Sequence, residues 1–122
     1  MRVVRLLLVA AVLTASNAAA RGLPLQIELD GCVEPAKDCA TQDVVTLNEG
    51  DRKLSFAVET LRLRSSSHAT SGGVLAEMKL RPLRVHGPEE LVHRLMPGAH
   101  LRVRGALRLR ERYLIVQAVE TR

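Results

Sequence analysis

Aromatic side chains are almost missing from this 122-residue chain, which has one Phe, one Tyr and no Trp. Proteins that bind single-stranded nucleic acid gain about 1–3 kcal/mol for each base stacked on an aromatic ring. Phe56 and Tyr113 alone make a poor stacking platform, so we do not expect nucleic acid to be the ligand. For the same reason the core must be built from Leu, Val, Ile, Ala and Met.

Catalytic motifs are missing as well. The sequence has no G-x-S-x-G, no H-E-x-x-H and no Gly-rich phosphate loop. The serines at 65–67 precede His68, but adjacent residues of a polar loop do not form a positioned nucleophile and base. We therefore expect neither an enzyme nor a cofactor.

Histidines are few, and three of the four recur every seven residues, at His86, His93 and His100. The pattern places them at a strand end, within a helix and at a strand start. A metal site needs convergent ligands and supporting hydrogen bonds, which this spacing does not supply. We expect surface or capping roles for them and no metal site.

The longest apolar run is confined to the start of the chain. Arg2 and Arg5 precede the run Leu6–Leu13, and Ala18, Ala19 and Ala20 follow it. This three-part layout is typical of a secretory signal peptide, and the run is shorter than the roughly 20 residues that span a bilayer. We predict cleavage after Ala20, a mature chain of one domain over 21–122 with no transmembrane segment, and a periplasmic or secreted location.

Only two cysteines are present, Cys32 and Cys39, at the ends of the segment CVEPAKDC. Export would place them in an oxidising compartment, where a disulfide is favoured. A redox pair would prefer C-x-x-C, and a zinc site needs two further ligands. We therefore predict a structural disulfide, which would stabilise the fold by about 2–3 kcal/mol.

Positive charge is concentrated in the last third of the chain. The formal net charge is +5, and it falls to +3 without Arg2 and Arg5. Residues 21–78 hold six basic and nine acidic side chains, whereas residues 79–122 hold ten basic and four acidic ones. An anionic ligand or surface would therefore be met by the C-terminal part.

Apolar and polar residues alternate through most of the chain, which predicts strands rather than helices. The predicted strands cover 25–29, 44–47, 53–58, 76–80, 101–109 and 113–119. The third run changes phase near Thr60, and the apolar phase changes again after Pro82, to Leu83 and Val85, as at a bulge or an edge bend.

One short helix is predicted over 87–98, in the segment GPEELVHRLMPG. Pro88 suits the first helical position, and Glu89 and Glu90 suit the positive end of the helix dipole. The apolar stripe consists of Leu91, Val92, Leu95 and Met96. Because a helix of two turns is not stable alone, this helix should pack against a larger structure.

The order of strands, helix and final hairpin over 74–120 resembles the OB-fold, and with its signal peptide the chain is similar to exported bacterial OB-fold proteins. The likeness rests on the stretch LRVHGPEELVHRLMPGAHLRVRGALRLRERYLIVQAVE, in which Gly105 matches a strand glycine where the backbone bends. It implies a small, all-β barrel with one short α-helix between the third and fourth barrel strands. Six strands are predicted for five places, so 25–29 or 44–47 is an addition, or both form one bent strand.

Candidate ligand residues follow from the alternation in LRVRGALRLR. Arg102, Arg104, Arg108 and Arg110 alternate with apolar residues that should face the core, and neighbouring arginines on one strand face lie about 6.6 Å apart. The resemblance adds the turn 110–112 and the residues Arg62, Arg64, Arg81 and Arg84, because OB-folds bind ligands on strands two and three and on adjacent loops.

Two functions remain open for these arginines, beside a purely solvated exterior that protects a strand edge. The first is a non-catalytic periplasmic module that engages an envelope protein partner through its barrel face or a strand edge. The alternative is an anionic ligand on the arginine-rich face, such as an oligosaccharide or a small anion, with single-stranded nucleic acid as the less favoured case.

Overall fold

The structure is a computed structural model that describes residues 24–39, 43–64 and 68–122. The predicted signal peptide and its cleavage point lie outside the described residues. Within them the chain forms six strands and two helices. In chain order these are β1 (Leu25–Val33), β2 (Val44–Glu49), β3 (Arg52–Leu63), α1 (Ser71–Leu80), β4 (Leu83–His86), α2 (Glu89–Val92), β5 (His100–Arg108) and β6 (Tyr113–Thr121).

The six strands close into one barrel in the order β1-β3-β2-β4-β6-β5. Strand β4 is parallel to both of its neighbours, β2 and β6, and the other four pairings are antiparallel. This confirms a small all-β barrel, and α1 is the helix between its third and fourth strands, whereas the helix predicted over 87–98 lies between β4 and β5. Both N-terminal strand runs are separate members of the barrel, so neither is an addition to it.

The alternation in β5 is confirmed. Leu101, Val103 and Leu107 are buried in the core, while Arg102 and Arg104 lie on the outer face. Successive side chains of a strand point to opposite faces, so this alternation produces one apolar and one basic side.

The predicted phase change in the third strand run is a β-bulge. Asp30 of β1 pairs with Thr60 and Gly31 pairs with Val58, so Glu59 is the extra residue on β3. Before the bulge the apolar side chains stand at even positions such as Phe56, and after it they stand at odd positions such as Leu61.

The predicted strand over 76–80 is wrong, because these residues form the second half of α1. Thr70 caps the helix by accepting a hydrogen bond from the Gly73 amide at 3.0 Å. Val74 and Met78, one helical turn apart, are buried, whereas Leu80 is 70% exposed. Five alternating residues fit a strand and a helix equally well, and packing against the barrel decides. The phase change at Leu83 therefore marks a helix end, not a bulge.

The predicted helix over 87–98 is shortened to the four residues of α2, followed by turns. Pro88 takes the capping position before the first helical residue. Val92 and Leu95 reach the core as expected, but Met96 is half exposed. The Gly98 amide donates to the Val33 carbonyl at 2.8 Å, which ties this segment to the end of β1.

Helical segments pack against both ends of the barrel. Helix α1 packs beside β2 and β3, near the β5–β6 turn, and α2 lies near the β2–β3 turn. Arg112 donates to the Glu77 carbonyl of α1 at 2.8 Å, and Arg52 donates to the Leu95 carbonyl after α2 at 3.1 Å. The buried side chains of the described residues form one cluster that fills the barrel.

The predicted disulfide between Cys32 and Cys39 is confirmed, and it closes a loop at the end of β1. Among the described residues, no helix has the length and apolarity needed to cross a membrane.

Candidate functional site

Two of the predicted ligand residues, Arg102 and Arg104, are ion-paired with carboxylates of β1. Arg104 donates from Nε to Glu28 Oε1 at 2.9 Å, and Arg102 donates from Nε to Asp30 Oδ1 at 2.8 Å. Glu28 and Asp30 are only 6% and 5% exposed, because the long arginine side chains lie over them. The positive charge of this part of the ladder is therefore largely compensated.

The strand register produces these pairs. Glu28 lies opposite Arg104 and Asp30 lies opposite Arg102 in the β1–β5 ladder. On the other side of β1, Arg62 lies opposite Glu28, with a guanidinium–carboxylate distance of 3.8 Å. The ion pairs therefore join three strands across the outer face of the barrel.

The ion pairs also change the acidity of the two carboxyl groups. The hydrogen bond from Arg104 lowers the pKa of Glu28, against the opposing effect of burial. The hydrogen bond from Arg102 likewise lowers the pKa of Asp30. Both groups are therefore carboxylates at neutral pH, and their negative charges compensate those of Arg102 and Arg104.

Three other predicted arginines, Arg84, Arg108 and Arg110, lie at the β4–β6–β5 side of the barrel. Among the described residues, no carboxylate forms an ion pair with any of them. Arg64 and Arg81 are exposed as well, but each lies just past the end of an element, Arg64 after β3 and Arg81 after α1. The structure thus separates the eight predicted arginines into a compensated group and an uncompensated group.

Arg84 and Arg108 flank the only tyrosine of the chain. Tyr113 lies opposite Arg84 in the β4–β6 ladder and opposite Arg108 in the β5–β6 ladder. Residues that face each other in adjacent strands share a face of the sheet, so the three side chains form one outward row, which we call the Arg84–Tyr113–Arg108 row. Two strand spacings separate its ends by about 9.6 Å.

Two neighbouring side chains contact the Tyr113 ring at the centre of the row. The Arg84 guanidinium lies 5.9 Å from the centroid of the Tyr113 ring, within the range of a cation–π interaction. The His86 ring packs edge-on against the Tyr113 ring, with ring centroids 5.5 Å apart and an interplanar angle of 85°. The row therefore presents a fixed phenol between two cations.

A groove of about 560 Å³ adjoins the row and shares Arg84 with it, and His86, which contacts the Tyr113 ring, also lines the groove. It lies where β4 ends between β2 and α2, and this volume falls within the range of ligand pockets. Its lining residues are Asn48, Glu49, Gly50, Arg84, Val85, His86, Gly87, Glu89, Val92 and His93.

Sequence reasoning missed the roles of Glu28, Asp30 and Tyr113. Glu28 and Asp30 alternate with the core residues of β1 at the same two-residue spacing as Arg102 and Arg104. These equal spacings show which side chains could pair if β1 and β5 were neighbours, but the β1–β5 register decides the partners. Tyr113 gave no such signal, because its place between two arginines depends on pairing with β4.

No known protein family, curated protein or solved structure matches this chain. The resemblance to exported OB-fold proteins therefore stays a prediction.

Proposed function

We propose that this chain is a non-catalytic binding module that engages an acidic segment of an envelope protein through the Arg84–Tyr113–Arg108 row. The observation that carries the proposal is the placement of two guanidinium groups, neither ion-paired with a carboxylate of the described residues, on both sides of a tyrosine. Carboxylates of a partner would supply the missing counter-charges.

The chemistry of the row suits a protein interface. Tyrosine and arginine are the residue types that, with tryptophan, most often dominate binding energy at interfaces. A guanidinium can bind a carboxylate with two parallel hydrogen bonds, and a phenol adds contact area with little loss of conformational entropy. The adjoining groove would accept a side chain of the partner next to the row.

The packed barrel supports surface recognition rather than an internal ligand site. Core side chains of the described residues fill the interior, and helical segments pack at both ends. The disulfide supports an oxidising compartment, which fits an exported protein. An exported protein would meet partners of the cell envelope, and this supports the proposed class of partner.

The same uncompensated guanidinium groups favour one second candidate, an anionic ligand such as a sulfated oligosaccharide. In that case the ligand would replace the partner's carboxylates on the row. Both candidates use the same arginines, and they differ in the molecule that these arginines bind.

Binding to a Glu-rich peptide tests the proposal. Fluorescence anisotropy at low and high salt should show salt-sensitive binding to the parent chain, since screening weakens exposed charge pairs. Removing both guanidiniums in Arg84→Ala/Arg108→Ala should weaken binding about tenfold or more, equivalent to about 1.4 kcal/mol.

Arg64→Ala/Arg81→Ala is the matched control, because it also removes two positive charges, but from residues outside the row. It should change the dissociation constant by no more than about twofold if local geometry matters more than net charge. Equal losses in both double variants would refute a site at the row. Tighter binding of a sulfated oligosaccharide than of the peptide, again lost with Arg84 and Arg108, would favour the second candidate.

A further inference from the structure

Cys32, Glu59 and His100 form a cluster of potential metal ligands at the disulfide end of the barrel. The Cys32 sulfur, one Glu59 oxygen and one His100 nitrogen all lie within 4.8 Å of one another. The cysteine is buried, the histidine is half-buried and the glutamate is exposed. Cys39 is bonded to Cys32, so its sulfur adjoins this group without being one of its three mutually close atoms.

Three adjacent strands bring the cluster together. Cys32 of β1 lies opposite His100 of β5 and opposite Ala57 of β3. Glu59 stands two residues beyond Ala57 and is the bulge residue, so it is left out of the ladder next to β1. The cluster is therefore held by the rigid part of the fold rather than by a loop alone.

The hydrogen bond of His100 leaves one ring nitrogen open for a metal. His100 Nε2 lies 2.9 Å from the carbonyl oxygen of Lys37, inside the disulfide loop. A carbonyl oxygen can only accept, so Nε2 carries the proton and donates. In the neutral ring, Nδ1 then keeps its lone pair. Metal-bound histidines commonly have this arrangement, with the second ring nitrogen donating to a backbone carbonyl.

We propose that reduction of the Cys32–Cys39 disulfide turns this cluster into a Zn²⁺ site whose ligands are Cys32, Cys39, Glu59 and His100. A dithiol reductant supplies two electrons and two protons, which yields two thiols and the disulfide of the reductant. Zn²⁺ then binds both sulfurs as thiolates, and the two thiol protons are released.

Three of the four proposed ligand atoms, those of Cys32, Glu59 and His100, need only a small adjustment to hold zinc, and the Cys39 sulfur would take the fourth position after reduction releases it. Bonds of about 2.0–2.3 Å in a tetrahedral site place ligand atoms about 3.3–3.8 Å apart. Atoms that now lie within 4.8 Å must therefore approach by no more than about 1.5 Å, which side-chain rotation can supply. Glu59 is free to rotate because its ion pair with Arg122, at 3.8 Å, is solvent-exposed and weak.

The site would depend on the redox state. In the oxidised chain neither sulfur is a thiolate, so Glu59 and His100 remain the ligands of this cluster, too few for tight zinc binding. In the reduced chain, zinc would reconnect the two ends of the same loop that the disulfide had closed. The metal would thereby replace the covalent bond and protect both sulfurs from reoxidation.

Cobalt(II) titration of the purified chain tests this inference, since Co²⁺ reports thiolate ligands and tetrahedral geometry by absorption. After reduction with a phosphine, we expect one Co²⁺ per chain, a thiolate-to-cobalt charge-transfer band, and displacement of Co²⁺ by Zn²⁺. The oxidised chain should show no such band. Absence of the band in the reduced chain would overturn the inference.

Single variants separate this four-ligand site from binding by two thiols alone. His100→Ala and Glu59→Gln should each weaken metal binding about tenfold or more. His93→Ala and Glu89→Gln are controls, because this exposed histidine and glutamate lie near α2, outside the cluster. Unchanged affinity in both His100→Ala and Glu59→Gln would refute the proposed ligand set.

Circular dichroism covers the case in which the reduced chain unfolds. If it does, Zn²⁺ should restore the β spectrum of the reduced parent but not that of reduced Cys32→Ser/Cys39→Ser. Failure of Zn²⁺ to refold the reduced parent would count against the site. This inference uses none of the residues of the Arg84–Tyr113–Arg108 row and is independent of the proposed function.

Discussion

Arg102 lies opposite Asp30 in the β1–β5 ladder, and its Nε donates to Asp30 Oδ1 at 2.8 Å. Arg102 also donates from Nη2 to Asp30 Oδ2 at 3.4 Å, and Thr60 Oγ1 of β3 donates to the same oxygen at 3.2 Å. One carboxylate thus bridges side chains from the two strands that flank β1. This bridge stabilises the closed sheet, and it reduces the charge that Arg102 can offer to a ligand.

Replacing Asp30 should therefore destabilise the fold. Asp30→Ala removes the hydrogen bonds from Arg102 and Thr60, and hydrogen bonds to charged groups contribute about 1.5–3 kcal/mol. We expect a loss of that size in the free energy of unfolding, measured by urea denaturation. Glu120→Ala is the control, since this exposed carboxylate also lies opposite Arg102 but makes no hydrogen bond with it, and it should change stability by less than about 0.5 kcal/mol. Equal effects would contradict a special role for Asp30.

Acid should weaken the fold through the same carboxylates. The pKa values of Glu28 and Asp30 are lowered in the folded chain, chiefly by hydrogen bonds from Arg104 and Arg102. A group whose pKa is lower in the folded than in the unfolded state stabilises the fold above its unfolded pKa, and this contribution is lost as pH falls through the folded value.

We therefore expect the free energy of unfolding to fall as pH decreases below about 4.5. Urea denaturation of the parent and of Glu28→Gln/Asp30→Asn at a series of pH values measures this. The double variant should be less stable than the parent at neutral pH, and the difference should shrink towards low pH. A difference that stays constant down to low pH would contradict this origin of acid sensitivity.

Short-range patterns predicted the parts of the fold that depend on them. The alternation Leu101, Val103, Leu107 and the phase change near Thr60 are properties of single strands, and both are confirmed. The strand predicted over 76–80 is wrong because the local pattern fits both a strand and a helix. Burial of Met78 and exposure of Leu80, which follow from contacts with the barrel, decide for the helix.

The candidate site depends on long-range pairing, which the sequence pattern does not contain. Asp30 and Arg102 are 72 residues apart, so their ion pair could be predicted only from the β1–β5 register. The place of Tyr113 between Arg84 and Arg108 likewise requires the parallel pairing of β4 with β6. Arginines that alternate with apolar residues in the same way in the sequence therefore have different neighbours in the fold.

Glycine substitutions test the close approach of β5 to β6. A Cβ atom on Gly105 would clash with the backbone oxygen of Ile115, whereas a Cβ on Gly72 in α1 would meet no atom within 4 Å. Gly105→Ala should cost about 1–3 kcal/mol or more through overpacking. Gly72→Ala should instead stabilise by about 0.5–1 kcal/mol, since alanine favours the helix. Thermal unfolding of the two variants would show opposite shifts, and a harmless Gly105→Ala would contradict the tight strand contact.

Arg112 joins the β5–β6 turn to the end of α1. Its guanidinium donates to the carbonyls of Glu77 at 2.8 Å and Met78 at 3.3 Å, and also to that of Arg81. The last carbonyls of a helix lack partners within the helix, so this cation satisfies groups that would otherwise depend on water. Desolvation by burial is the main reason why the pKa of Arg112 is lowered, and the positive charge of Arg81 lowers it further.

Removing this guanidinium should release the end of α1 from the barrel. We expect Arg112→Met to reduce the free energy of unfolding by about 1.5–3 kcal/mol, through the loss of charge-assisted hydrogen bonds. Hydrogen exchange of the α1 amides should accelerate more than that of the β1 amides, because the loss is local. Arg110→Met, two residues away and exposed, should leave both measurements nearly unchanged. Similar effects of the two substitutions would mean that positive charge in the turn, rather than the contact of Arg112 with the helix, stabilises this end of the barrel.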